Sequence, residues 1–359
     1  MTVQLGFTGD LFVGRGDSPP DIRSLAMQFS ADVRLVVNFE GTLNRDAAAL
    51  KPTRQKILLT SPVEAVRDIA CLRPVVFCIG NNHIGDYGND VAQLTYDVLA
   101  KTAPVIGAGY AGTAFHLTSL DAGGIPIGLA AYCTGETSPL PSTSERFGPR
   151  QPDEELVRAD VTSLRQHNRH LIAIIHWGDE YHHYPTTHQL RYGRWLVDSG
   201  FDLVIGSHSH SVQGYEQYRG RYIFYSLGNF SFPDYRAQLA GLKHDLRWMA
   251  RCRWGIVPVF AIGADVVSLQ SVALLKRTGP QTVSVVDDPG LRRRLGRFSR
   301  AVASPRREEE CARRRALESW FIRFGEFSVK DRKLAVLTNK ARRFLARARP
   351  GNSDGESNR

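Results

Sequence analysis

Residues 202–214 read DLVIGSHSHSVQG, an apolar run that ends in two histidines separated by one serine. The run has the length and composition of a buried strand. Packing alone gains little from a histidine pair at a strand end. His208 and His210 are therefore either metal ligands or neighbouring surface residues. A single His-x-His pair does not decide between the two, because solvated loops carry such pairs by chance.

The same arrangement recurs at earlier apolar runs. A polar side chain that can bind metal stands at the end of each of four further strand-like segments: Asp10, Glu40, Asn82 with His83, and His176. In open α/β sheets, ligands bind outside the carboxyl ends of the strands. Five successive strands would thus bring oxygen and imidazole ligands to one edge.

Mixed oxygen and nitrogen ligands suit Mn, Fe, Zn or Mg, and a bridging carboxylate suits a pair of metals. We therefore expect one or two divalent ions. Each residue also has a structural interpretation. Asp10 would be a turn residue after Gly9, Asn82 a loop amide, and His176 a capped strand end. These interpretations do not explain why every strand end carries a potential ligand.

The first 230 or so residues alternate strand-like and helix-like stretches, which predicts an α/β fold with helices on both faces of its sheets. Residues 115–132 are typical of a hairpin with Gly123 and Gly124 in the turn. Ser61 followed by Pro62 predicts the N-cap and first residue of a helix.

The composition is that of a globular protein, with 42% hydrophobic and 23% charged residues in 359. The five cysteines have no C-x-x-C spacing, which favours neither a disulfide framework nor a thiolate zinc site. The N-terminal residues resemble no export signal, and no segment approaches the length of a membrane helix. From these features we expect a cytoplasmic protein, with peripheral membrane association left open.

The basic charge is concentrated near the C-terminus. The net charge is +10, and residues 291–349 contain 19 Lys and Arg against 6 Asp and Glu. This predicts a body at 1–286, a basic helical extension at 287–349 and a disordered tail at 350–359. Residues 291–349 could bind an anionic membrane surface, a polyanion or nucleic acid through these basic side chains. The alternative without a binding role is a solvated charged helix face.

Six short motifs occur in a fixed order between residues 3 and 235. They are GD with Arg15 five residues on, NFEGTL, NNHIGDYG, HWGDEY, GSHSHSVQG and YSLGNFSF. Together they resemble the CapA family of capsule synthesis proteins, also called PgsA and associated with poly-gamma-glutamate. That family is similar to calcineurin-like metallophosphoesterases, which implies a metallophosphoesterase-type βαβ sandwich.

The resemblance implies a role for each matched residue. Glu40 would bridge two metals, with Asp10 and His210 on one ion. Asn82, His176 and His208 would bind the other ion.

The resemblance also implies a proton donor. His83 would be the general acid, and Asp86 would orient it. Water activated by the metal would attack phosphorus or another electrophilic centre.

Three departures from the phosphoesterase or family pattern concern the metal ligands. Phe12 stands where the phosphoesterase pattern has a histidine ligand, so one metal loses a ligand. Glu40 replaces an aspartate, and Ser209 replaces a proline between the two histidines.

Further polar residues near the same edge are predicted to bind substrate. The substrate-binding candidates are Arg15, Asn38, Glu180 and Asn229. Tyr181 lies beside them, His182 and His183 are weaker ligand candidates, and Asp17 and His188 are expected to be solvated.

Three functions follow from this pattern. The first is a metal-dependent hydrolase or transferase that acts on a phosphorylated or amide-linked anionic substrate, such as a polyglutamate-like polymer. The second is a non-catalytic, metal-binding accessory of a polymer synthase. The third is an adaptor that binds membrane or nucleic acid through the basic extension.

Overall fold

The fold is known from a computed structural model, which describes residues 2–14, 19–53, 58–112, 117–138, 140–239, 242–246 and 250–324. Residues 1–315 cluster as one compact unit, and residues 316–359 cluster separately. The boundaries at 286, 349 and 350 stay predictions, and residues 325–359 lie outside the described part.

The strands are mostly short. In chain order they are β1 Val3–Phe7, β2 Asp10–Leu11, β3 Val33–Asn38, β4 Thr42–Asn44, β5 Thr60–Pro62, β6 Pro74–Cys78, β7 Val105–Ile106, β8 Ala108–Gly109, β9 Leu117–Asp121, β10 Pro126–Cys133, β11 Gly148–Pro149, β12 His170–His176, β13 Leu203–Ser207, β14 Tyr215–Tyr218, β15 Arg221–Phe224, β16 Asn229–Ser231, β17 Tyr235–Leu239, β18 Leu242–Leu246, β19 Trp254–Ile262, β20 Val267–Arg277 and β21 Val283–Val286.

The helices fall between the strands and after them. They are α1 Ile22–Ala26, α2 Val66–Ile69, α3 Asn89–Leu99, α4 Glu154–Arg165, α5 Thr187–Ser199, α6 Pro289–Ala303 and α7 Arg307–Phe324, with short 3-10 helices at Val63–Ala65, Ala70–Leu72 and Ala250–Cys252.

Two mixed sheets form the centre of the fold. One has the order β21-β20-β19-β1-β3-β6-β7, and the other has the order β14-β15-β13-β12-β10-β9. Strands β1, β3, β6 and β7 run parallel, as do β10, β12, β13 and β15. The parallel strands place their carboxyl ends, where the polar motifs stand, at one edge of each sheet.

The sheets pack face to face and are covered by helices. One apolar core contains Leu5 and Phe260 of the first sheet together with Ile172 and Leu203 of the second, and α4 and α5 pack against it. A second core lies beneath α1 and α3 on the other face of the first sheet. The predicted α/β sandwich is therefore confirmed, with helices outside both sheets.

The hairpin turn predicted at Gly123 and Gly124 is present between β9 and β10, and both glycines have positive φ. The N-cap predicted at Ser61 is wrong. Ser61 lies in β5, Pro62 occupies the cap position, and the helix begins as a 3-10 turn without a side-chain cap. The Ser61 hydroxyl instead accepts a hydrogen bond from the Gly14 N–H at 3.1 Å.

Helix α6 is amphipathic, and its apolar side belongs to the body of the protein. Its buried residues Leu295, Phe298 and Val302 are part of the core between the sheets. Its arginines at 292, 293, 294, 297 and 300 are exposed. The basic charge thus begins as the outer face of a helix that is packed into the fold.

Candidate metal centre

Asp10 is placed by a close approach of two backbone segments. A Cβ on Gly9 would lie 1.9 Å from the Gly228 carbonyl oxygen, so only glycine permits the contact. Strand β2 then pairs with β16, with Asp10 opposite Asn229. The Asp10 carboxylate is fully buried, and its Oδ1 accepts a hydrogen bond from Asn38 Nδ2 at 2.7 Å.

The second oxygen of Asp10 is available to a cation. Asp10 Oδ2 is buried and accepts no hydrogen bond from the described residues, and His210 Nδ1 lies 3.4 Å from it. A buried carboxylate oxygen without a hydrogen bond costs free energy unless a cation approaches it. This atom fits a metal ligand.

Glu40 lies at the centre of the site. It follows β3, and its backbone N–H donates to the Leu11 carbonyl at 2.9 Å. Its Oε1 lies 3.7 Å from His210 Nε2, 4.0 Å from His176 Nε2 and 3.8 Å from His83 Nε2. The carboxylate is therefore shared between two groups of ligands, as expected of a bridging position.

The first group consists of Asp10, Glu40 and His210, each of which offers one atom within 4.8 Å of the others. All three residues are buried. Carboxylate oxygens and an imidazole nitrogen are ligands of Mn, Fe and Zn, and carboxylates also suit Mg. The cluster can hold a divalent cation.

The second group surrounds His176. Its Nε2 lies 3.0 Å from Asn82 Oδ1 and 3.0 Å from His208 Nδ1, while its Nδ1 contacts the Ser207 hydroxyl at 3.0 Å. Ligand atoms about 2.1 Å from one ion lie roughly 3–3.5 Å from each other. The spacing of these three atoms fits ligands of one ion, with Ser207 fixing the ring of His176.

The two histidines of the opening motif have unusual backbone conformations. His208 has φ of 92° and His210 has φ of 51°, a region that side chains rarely adopt. Such conformations cost about 1–3 kcal/mol each and persist where surrounding contacts enforce them. The turn directs both imidazoles into the site, and Ser209 between them is fully buried.

His83 and Asp86 form a pair beside Glu40. His83 Nδ1 lies 2.7 Å from Asp86 Oδ2, which also accepts the Leu59 backbone N–H at 2.8 Å. This contact fixes the imidazole and leaves Nε2 directed towards Glu40. The predicted general acid and its orienting carboxylate are thus in contact.

Two predicted substrate-binding residues contact metal-ligand candidates instead. Asn38 donates to Asp10, and Asn229 Oδ1 lies 2.9 Å from His210 Nδ1. The Asn229 amide nitrogen donates to the Cys252 carbonyl at 3.1 Å, which fixes the side chain. Both asparagines therefore orient ligands, and substrate contact by them stays a prediction.

Glu180 and Tyr181 lie beside the imidazoles. The Tyr181 ring stacks near His210 with ring centroids 6.1 Å apart, and its backbone N–H donates to the Ser209 carbonyl at 2.7 Å. Burial would raise the pKa of Glu180, but the positive potential of His210 and His208 outweighs it and lowers that pKa. Glu180 is thus a third carboxylate at the site.

The remaining candidates have other partners or lie outside the description. His182 Nδ1 contacts the Glu180 carbonyl, His183 Nδ1 donates to the Val212 carbonyl, and His188 pairs with Glu136 at 3.2 Å. Arg15 and Asp17 lie outside the described residues.

Phe12 occupies the position where the resemblance would place a histidine. Its ring is fully buried and lies 4.9 Å from that of Phe232, which in turn contacts the ring of His210. An aromatic pair thus stands next to the Asp10 side of the site. That side offers one ligand fewer than the phosphoesterase pattern.

The electrostatics show that the buried carboxylates require a positive charge. Burial opposes protonation of His210, but Glu40 and Asp10 outweigh it and raise its pKa to about 10. At His208 the effect of burial exceeds that of Glu180 and Asp10, and the pKa is lowered to about 4. A divalent cation between the carboxylates would replace the His210 proton, so the donor set fits a metal.

Two residues that orient the histidines of the site were not predicted from the sequence. Asn81 accepts the His83 backbone N–H and donates to the Phe39 carbonyl, and Ser207 contacts His176. Both are immediate neighbours of predicted ligands, which is the signal that could have found them.

Comparisons with known proteins identify the family of the chain. Residues 4–234 match the family model described as bacterial capsule synthesis protein PGA_cap. The PGA biosynthesis protein CapA of Bacillus subtilis is 27% identical over 209 residues, 57% of this chain and 55% of that protein. A probable polyglutamine synthesis accessory protein of Mycobacterium tuberculosis is 28% identical over 279 residues, 74% of this chain and 72% of that protein.

The chain spans about half the length of the two Bacillus CapA proteins that it matches. Among solved structures, a 5'-nucleotidase precursor from Thermus thermophilus overlays with a TM-score of 0.43 at 14% identity, covering 84% of this chain and 59% of that one. NAD nucleotidase from Haemophilus influenzae overlays with a TM-score of 0.43 at 9% identity, covering 89% and 61%. Overlays at this level carry no argument about function. The family model, which matches well over half of the chain, shows that the chain belongs to the bacterial capsule synthesis protein family PGA_cap.

Proposed function

We propose that this protein is a metal-dependent, phosphoesterase-like hydrolase that acts on an anionic substrate in capsule or poly-gamma-glutamate biosynthesis. The observation that carries the proposal is the position of Glu40. Its Oε1 lies within 4.0 Å of His210, His176 and His83, which belong to two ligand groups and to the proton-donor pair.

The residues that would hold the metals are those brought together here. Asp10, Glu40 and His210 would bind one divalent ion, and Glu40, Asn82, His176 and His208 a second. Bound ions would supply Lewis acidity to the reacting oxygens and activate water.

His83 would supply a proton to the leaving oxygen. Its Nδ1 is engaged by Asp86 at 2.7 Å, so Nε2 is the atom available on the side of Glu40. The contact holds the ring in one orientation and stabilises its protonated form, as a general acid requires. His83 is buried, which keeps bulk water from competing for the proton.

Glu180 and Tyr181 lie beside the proposed metal site and would border the bound substrate. Tyr181 stands against His210, and Glu180 carries negative charge close to the imidazoles. Arg15 is the predicted partner of an anionic group on the substrate. The relatives' names associate them with PGA and polyglutamine synthesis, so a polyglutamate-like polymer is the proposed substrate or partner, together with a polymer synthase.

A second function is favoured by Phe12. Loss of one ligand on the Asp10 side would weaken a metal there and suits an accessory protein that binds metal and polymer without turnover. In that case the protein would retain ions at the His176 side yet hydrolyse no ester.

A third proposal is that the basic face of α6 contacts a membrane or nucleic acid. In the described part of the chain no helix combines the length and apolarity needed to cross a bilayer. Peripheral association through residues 291–349 is a separate proposal, which rests on the basic charge of that segment.

Hydrolysis assays separate the first two functions. Purified protein is incubated with Mn²⁺, Zn²⁺ or Mg²⁺ and p-nitrophenyl phosphate, bis-p-nitrophenyl phosphate or glutamate oligomers. Metal-dependent hydrolysis that is lost in Asp10→Asn supports the enzyme. Stoichiometric metal with no turnover of any substrate supports the accessory protein.

A further inference from the structure

We propose that a cationic cavity beside the candidate metal centre binds the carboxylate groups of an acidic polymer. The proposal rests on the proposed function for the identity of that polymer. The cavity lies between the 3-10 helix Ala250–Cys252, strand β20 and the first turns of α6. Its volume is about 410 Å³, within the roughly 300–1,000 Å³ range of small-ligand pockets.

The lining of the cavity is strongly basic. It contains four basic side chains, Arg253, Lys276, Arg277 and Arg294, and one acid, Asp288, which leaves a net charge of +3. Asp234, which pairs with Arg277 from outside the lining, reduces the excess to two positive charges. Because residues 1–290 as a whole are nearly neutral, this concentration of charge is local.

Lys276 and Arg277 are held in place by acids. Lys276 Nζ lies 3.0 Å from Asp288 Oδ2, and Arg277 makes two contacts with Asp234 at 2.7 and 3.0 Å. Only 9% of the Arg277 side chain is exposed, so this cation forms a fixed wall. Arg294 is exposed at the cavity and can turn towards a ligand.

The helix end itself is not the anion receptor. Asp288 Oδ1 already accepts the backbone N–H groups of Gly290 and Leu291 at 2.9 and 3.1 Å. The basic side chains therefore supply the attraction for an anion. Arginine binds carboxylates in a two-pronged geometry, which suits side-chain carboxylates of a polymer.

The apolar wall includes a buried hydrogen-bond donor. Trp254, only 3% exposed, lines the cavity, and its Nε1 is buried without a hydrogen-bond partner among the described residues. Leu291 lines the cavity as well. Cations together with an apolar wall suit a carboxylate carried on a short methylene stem, as in a glutamate residue.

The cavity is linked to the metal centre through two residues, Cys252 and Asn229. Arg253 follows Cys252, whose carbonyl accepts the amide of Asn229, and Asn229 contacts His210. An acidic polymer processed at the metal centre would therefore meet this basic surface close to the reacting group. Inorganic phosphate, like a carboxylate, is an oxyanion that arginine can bind, and it is the alternative ligand for the cavity.

The test measures binding of a fluorescently labelled glutamate decamer to the full chain at about 50 mM salt. Arg294→Glu is expected to weaken binding about tenfold or more, because a cation at the cavity becomes an anion. Arg293→Glu, which makes the same charge change at an exposed neighbour on α6 outside the cavity lining, is expected to change the affinity less than twofold. Trp254→Phe, which removes the indole N–H and keeps a smaller aromatic ring, is expected to weaken binding severalfold.

Three results would overturn the proposal: no decamer binding, equal weakening by both charge reversals, or binding of phosphate alone. The first or third rejects the polymer as ligand, and the second leaves only diffuse attraction by basic charge. Metal content and Asp10→Asn separate this test from the proposed function. If the protein binds no metal but still binds the decamer, the proposed function is rejected and the cavity proposal is retained. If it binds metal but not the decamer, the cavity proposal is rejected and the metal centre is retained.

Discussion

His83 and Glu40 approach each other at the centre of the site, with Nε2 of His83 3.8 Å from Oε1 of Glu40. The pair joins the two parts of the proposed chemistry, because Glu40 also lies close to both groups of metal-ligand candidates. His83 is held on its other side by Asp86. The residues on either side of this pair lead to separate predictions.

Asp86→Asn should lower turnover of phosphate esters with poor leaving groups about 100-fold, because His83 loses the contact that orients it for proton donation. An aryl ester such as p-nitrophenyl phosphate, whose leaving group needs no proton, should lose much less. The ratio of the two turnover rates is the measurement. Equal losses on both esters would mean that Asp86 only supports the fold through Leu59.

Asn229→Ala should weaken metal binding about 10- to 100-fold, because the amide that orients His210 is removed. Titration with Zn²⁺ or Mn²⁺ monitored by calorimetry checks this. Asn168→Ala is the matched control, since it removes a buried amide that contacts Ser119 and Leu164, away from the site. Similar metal affinity in both variants would show that Asn229 does not orient a ligand.

Phe12→His should strengthen metal binding on the Asp10 side, because it restores the imidazole that the phosphoesterase pattern has there. At a low concentration of free metal, we expect Phe12→His to bind about one ion per chain more than the wild type. We also expect its phosphoesterase turnover to be higher. Phe12→Leu, which keeps the site apolar, should change neither. Unchanged metal content in Phe12→His would show that position 12 does not face the ion.

The stability of the protein should fall as the pH decreases below about 6.5, partly because of His183. Burial, reinforced by Arg251 and other arginines, lowers its pKa to about 3 from the ordinary 6.5. Between these values the unfolded chain binds a proton that the folded protein does not. The free energy of unfolding therefore decreases as the pH is lowered from 6.5 towards 3.

Urea denaturation at pH 7.5 and pH 5.0 measures this contribution. His183→Gln, which cannot be protonated but can still donate to the Val212 carbonyl, should lose about 1–2 kcal/mol less than the wild type between the two pH values. A variant with the same pH dependence as the wild type would assign the loss to other groups.

Convergence of the site could be predicted from the sequence because parallel strands place their carboxyl ends together. Asp10, Glu40, Asn82 and His176 each follow a strand, so their order along the chain sufficed to bring them to one place. The fold class followed from the same alternation of strands and helices.

Other features depended on contacts that no sequence pattern shows. Ser61 has the composition of an N-cap, but its hydroxyl accepts the Gly14 N–H across the fold. Asn38 and Asn229 were predicted to bind substrate because they are polar and near the site, yet their partners are Asp10 and His210. The basic face of α6 could be predicted from its arginines, whereas the burial of Phe298 on the opposite face depends on contacts within the core.

The most direct test of the metal centre is a crystal of the protein soaked in Mn²⁺ and measured at the manganese absorption edge. We expect an anomalous peak within bonding distance of Glu40 and of Asp10 and His210, or of Glu40 and of Asn82, His176 and His208. Two peaks are expected when both groups are filled. Mn²⁺ bound only elsewhere on the protein, with these side chains unchanged, would contradict it.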